Sequence, residues 1–178
     1  GFSAEHLPPK WFTKDPERDP IDEIDEMLDV VRQAIELSQG REAATPFDFW
    51  WDLFHDQIAW ARTRNLPPLL SQFGVTLVER ALIDAWCRGN DLTFSQAVRH
   101  NDLGIDLGRI HDELVGREPG DELPATPLLS VFARHTVGLA DPLRDADIPA
   151  DEILHDGLPQ SLEACIRFYG LTHFKLKV

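Results

Sequence analysis

Apolar residues recur at spacings of three and four along most of this chain and give way to strict alternation only at its end. Ile21, Ile24, Leu28, Val31 and Ile35 mark one face of a helix expected over Asp19–Leu37. Asp19 as N-cap, Pro20 at the first helical position and the acidic Asp22 and Glu23 signal its start, and Gly40 follows its end. Thr45-Pro46 repeats the start signal for a second helix, Pro46–Arg62, with an aromatic stripe of Phe47, Trp50, Trp51, Phe54 and Ile58. That helix is expected to stop before Leu66-Pro67-Pro68. A third, Phe73–Arg88, is apolar on most sides, the pattern of a buried helix, and Gly89 closes it. Trp50 or Trp51 and Trp86 are expected to be mostly buried. Thr93 and Gln96 read as a capping box opening a short helix, and Ile105–Val115 as a further one.

Gly116–Pro127 holds two glycines and three prolines and reads as a boundary. Beyond it the pattern becomes strand, helix, strand: Leu128–Val137, Pro159–Tyr169 and Thr172–Val178. The last strand sets Phe174, Leu176 and Val178 on one face and His173, Lys175 and Lys177 on the other. Two strands joined by a helix are expected to be parallel, with a right-handed crossover. In a parallel barrel the apolar face meets the outer helices, so both lysines would face the barrel mouth. Two ammonium groups crowded in a confined site repel, and the repulsion eases loss of a proton from one of them, which makes a usable base.

Gly157–Glu163 followed by Phe168–Val178 resembles the second βα step of the mandelate racemase/muconate lactonizing enzyme family, in the enolase superfamily. Thr136-Val137-Gly138-Leu139-Ala140-Asp141-Pro142 is similar to the first barrel strand and loop of its dipeptide-epimerase branch. Val78–Trp86 is similar to the helix that ends the capping domain, and Gly1–Glu5 to the edge of that domain's sheet. The resemblance implies an α+β capping domain, mostly its helices, over residues 1–124, and the first two strands of a (β/α) TIM-type barrel over residues 125–178. Eight strands close such a barrel, so the chain reads as incomplete.

By the resemblance, Lys177 is the base that removes a proton alpha to a carboxylate, Lys175 its electrostatic neighbour, and Thr136 a substrate contact. Arg134 shares the strand face of Thr136 and fits poorly in a packed interior, which leaves the phase of that strand open. The family also implies Mg²⁺, held by carboxylates on later barrel strands rather than by this chain. The substrate would be a small carboxylate such as a dipeptide, and the reaction a racemisation or epimerisation. Cycloisomerisation or dehydration is the alternative within the superfamily, because each begins with the same proton abstraction. A non-catalytic helical interaction module is the rival of a different class. A cytoplasmic location and a homo-oligomer are both compatible with this reading, and the chain by itself is expected to be inactive.

Composition narrows the partners. A net charge of −14 over 178 residues argues against a nucleic-acid backbone or an anionic membrane surface. No apolar run approaches the roughly 18 residues a membrane helix needs. Cys87 and Cys165 both fall on predicted helices among apolar neighbours and read as small buried hydrophobes in a reducing compartment. Asp141, Asp145, Asp147, Asp151 and Asp156 cluster, but counting from Asp145 the sixth and twelfth positions hold Ala150 and Asp156. An EF-hand needs glycine and glutamate there, so an exposed acidic loop is expected. His100, His111, His135, His155 and His173 show no ligand spacing.

Overall fold

Three long helices begin at prolines, the first two with side-chain caps, in the computed structural model, which describes residues 1–12 and 17–177; Val178 of the expected last strand lies outside them. Helix α1 spans Pro20–Ser38, and the Asp19 carboxylate accepts the Ile21 N–H at 2.8 Å. Helix α2 spans Pro46–Thr63, where Thr45 Oγ1 accepts the Asp48 N–H at 3.0 Å. Helix α3 spans Pro68–Gly89 and starts five residues before the expected Phe73. Pro68 takes the first helical position, where the missing N–H has no partner to lose. The capping box of the short helix α4, Phe94–Arg99, has both its bonds: Gln96 N to Thr93 Oγ1 at 3.3 Å and Thr93 N to Gln96 Oε1 at 2.9 Å. The helix expected over Ile105–Val115 is instead two short 3-10 turns, Leu107–Arg109 and Asp112–Leu114. Gly108, between Asp106 and Val115, breaks the run that a longer helix would need.

The chain divides into two compact units, Gly1–Ala125 and Thr126–Val178. In the first, α1, α2 and α3 close around Met27, Val30, Ala34, Leu53, Leu70, Phe73 and Val75. The buried stripe of α1 is Glu23, Met27, Val30 and Ala34, rotated from the expected one; Ile21 is 65% exposed and Ile35 47%. On α2 the fully enclosed positions are Leu53, Gln57 and Ala61, while Trp50 and Trp51 are half-buried beside them, as is Trp86 on α3. Most of each of these indoles is covered, in line with the expectation of mostly buried tryptophans. An indole covers the flank of a small helical core more readily than it fits between closely crossing backbones.

That crossing is close because of Gly74. A Cβ there would lie 2.2 Å from the Val30 carbonyl oxygen, so only glycine lets α3 approach α1 this nearly. Gln57 donates through Nε2 to Val30 O at 2.9 Å and Ser71 O at 3.1 Å, tying α2 to both neighbours. Helix α3 is enclosed at Leu70, Ser71, Phe73–Val75 and Cys87, and the rest of its second half is half-buried or exposed, against the expectation of burial all round. Gly1–Glu5, which the resemblance sets at a sheet edge, forms no strand. The segment lies along α3, with Phe2 N donating to Asp84 Oδ2 at 2.9 Å and Ser3 Oγ to Leu77 O at 2.7 Å.

The second unit holds strand β1, Arg134–Val137, helix α5, Leu162–Tyr169, and strand β2, His173–Leu176. The strands are parallel, in the register Arg134↔His173, His135↔Phe174, Thr136↔Lys175 and Val137↔Leu176. Leu128–Ala133, expected as strand, carries no ladder. Extending the register upstream would pair it with Arg167–Thr172, the last residues of α5 and the turn after it, where Gly170 turns left-handed (φ 62°) to close the helix. Among the described residues of this unit, Val137, Ser161 and Cys165 are the buried ones.

Candidate functional site

Register decides which side chains share a face. Cross-strand partners point to the same side of a sheet, so Thr136 and Lys175 lie side by side on one face with Arg134 and His173. Val137, the buried residue of β1, is on the other. The doubt raised by Arg134 is resolved in favour of Thr136 sharing the lysine face. Arg134 sits there without strain because that face is open and both residues are exposed.

Lys177 follows one residue beyond β2, and its N–H donates to Val137 O at 3.1 Å, which carries the extended course past Leu176. Alternation puts its side chain two positions along from Lys175, about 7 Å by the strand rise. Both lysines are exposed. Sequence pattern set the pair in a confined barrel mouth; among the described residues they stand at the open end of a two-stranded sheet. His173 is engaged on the same face, stacked on Phe132 with ring centroids 4.4 Å apart and joined through Nδ1 to Thr172 Oγ1 at 2.8 Å.

The long connection from β1 to α5 leaves the same strand ends. Its cleft, about 450 Å³, is lined by Asp141, Pro142, Asp147, Ile148, Glu152 and Gln160 among others, and by none of Thr136, Lys175 and Lys177. The acidic residues there serve the loop's own backbone: Asp141 Oδ2 accepts Gly138 N at 2.6 Å and Asp147 Oδ2 accepts Arg144 N at 2.9 Å. Asp145 holds the start of α5. Its carboxylate accepts from Ser161 Oγ at 2.5 Å and from the Arg167 guanidinium at 2.8 Å, and Ser161 Oγ in turn accepts Ala164 N. The Ser161 hydroxyl, with Arg167 beside it, holds the Asp145 carboxyl below the usual aspartate range. The spacing of an acidic residue ahead of Ser-Leu-Glu gave no sign of this pairing, because Asp145 and Ser161 meet only through the fold of the loop.

No three His, Cys, Asp or Glu side chains among the described residues gather as a metal ion requires. The resemblance puts the Mg²⁺ ligands on later barrel strands rather than on these residues, so the chemistry this chain can supply is that of its own side chains alone. Cys87 and Cys165 are both free and buried, as their apolar neighbours suggested. No helix among the described residues is long and apolar enough to cross a membrane. No protein-family model matches the chain, and neither curated proteins nor solved structures give a match to it.

Proposed function

We propose that residues 126–178 form the first two steps of a (β/α) barrel of the mandelate racemase/muconate lactonizing kind, most similar to dipeptide epimerases. Residues 1–125 are then the helical part of its capping domain. The reaction is removal and return of a proton alpha to a carboxylate. The observation that carries this reading is the parallel register that sets Thr136 beside Lys175, with Lys177 next on that face at the carboxyl end of the strands. Parallel β/α folds hold their chemistry at that end. Lys177 takes the proton, Lys175 presents an ammonium to the substrate carboxylate, and the Thr136 hydroxyl orients it. The small substrate fits the charge of the face: cations here attract a carboxylate that a chain of net charge −14 otherwise repels.

The test is exchange of a substrate's alpha proton with deuterated solvent, in a protein that holds this chain together with further barrel strands. Lys177→Ala should slow exchange by about 100-fold or more while the circular dichroism is kept. Normal exchange without Lys177 overturns the assignment. Cycloisomerase and dehydratase readings survive the same result, and the product formed separates them.

A further inference from the structure

Glu79 is the single charged side chain in an otherwise apolar cleft of the first unit. The cleft, about 150 Å³, opens between the first turn of α2, the second half of α3, α4 and Leu103–Ile105; Phe47, Trp50, Leu82, Ile83 and Val98 are among its walls. Glu79 is half-buried and makes no hydrogen bond or ion pair with a described residue. Its neighbour Arg80 is committed elsewhere, with its guanidinium 3.4 Å from Glu5 and 3.4 Å from the Thr76 carbonyl. Burial among these apolar walls pushes the Glu79 carboxyl above the usual range, with Arg80 a weaker opposing influence.

A carboxylate that is partly desolvated by apolar walls gains from an opposite charge beside it, and a cation with an apolar body supplies that charge while covering the walls. Phe47 and Trp50, with ring centroids 5.4 Å apart, add aromatic rings on which an ammonium can rest. Cavities of about 150 Å³ lined by Leu, Ile and Phe take up one benzene-sized ring. We propose that this cleft binds a small hydrophobic amine, its ring or branched aliphatic body against α3 and α4 and its ammonium paired with Glu79. The proposal lies wholly within residues 1–125 and does not depend on the lysine pair of the second unit.

The test titrates the whole chain with benzylamine, benzyl alcohol and benzoate, following amide shifts of Ile83 and Val98 and the Trp50 indole signal. Benzylamine should give saturable shifts, benzyl alcohol should bind at least about tenfold more weakly, and benzoate more weakly still. In Glu79→Gln the amine and the alcohol should bind alike, because the charge that separates them is gone. Val98→Phe, which fills the cleft, should abolish the shifts of all three. Equal binding of amine and alcohol by the unaltered chain overturns the proposal. So does an amine preference that persists in Glu79→Gln, or the lack of a saturable shift with benzylamine.

Discussion

Gln57 is the side chain on which three helices meet, and it shows how single residues set the order of this molecule. It is fully enclosed, with its amide nitrogen shared between carbonyls of α1 and α3. Gln57→Ala should destabilise the first unit by roughly 2–4 kcal/mol, summing a lost buried amide bond and the cavity left behind. Two neighbours on α1 separate the expected stripe from the observed one. Met27→Ala should cost roughly 2–5 kcal/mol, since Met27 is enclosed, and Leu28→Ala less than about 1.5 kcal/mol, since Leu28 is half-buried. Denaturant unfolding reads both, and a larger loss at Leu28 would restore the stripe read from sequence. Spacing alone could not choose, because apolar residues on α1 occupy two adjoining faces; Gly74 and Gln57 select the one that Met27, Val30 and Ala34 share.

Elements answer to their neighbours as much as to their own sequence. Helix α3 reads as apolar all round because it serves two sites, the three-helix core through Leu70, Phe73 and Val75 and the Glu79 cleft through Leu82 and Ile83. Gly74→Ala should push α3 from α1 and cost about 1–3 kcal/mol or more, because the added carbon meets backbone rather than a side chain that can turn away. Helix α5 depends on its first turn. The Asp145 carboxyl is held below its unfolded value, so its contribution is present above the ordinary aspartate range and is lost as the pH falls through the lowered folded value. Amide exchange at Ala164 should accelerate over that acid window, and Ser161→Ala, which removes the main cause, should flatten the dependence. An unchanged acid profile in Ser161→Ala would show that the cap does not rest on Asp145. The short β1 has the same logic: its six upstream residues cannot pair because β2 has no strand opposite them.

At the scale of the molecule, the two units carry very different interiors. The first encloses three clusters of apolar side chains, and the second buries Val137, Ser161 and Cys165 among its described residues while leaving Leu129, Val131 and Phe132 more than three-quarters exposed. Hydrogen exchange should therefore protect Val30 and Leu53 far longer than Val137 and Cys165, with the second unit opening at a lower denaturant concentration. Equal protection in both would mean that the second unit draws stability from contacts beyond its own core. Caps, prolines and periodicity were enough to locate the long helices within a few residues, the capping box at Thr93, and the change of pattern near residue 125, because these are local preferences of the backbone. The Lys-x-Lys alternation was likewise legible, since its period belongs to one strand. Which helix face is buried, that Thr136 stands beside Lys175, that Asp145 anchors Ser161, and that Glu79 is left in an apolar cleft were settled only by tertiary structure. Each depends on contacts between residues far apart in the chain, and no local preference contains the distance between them.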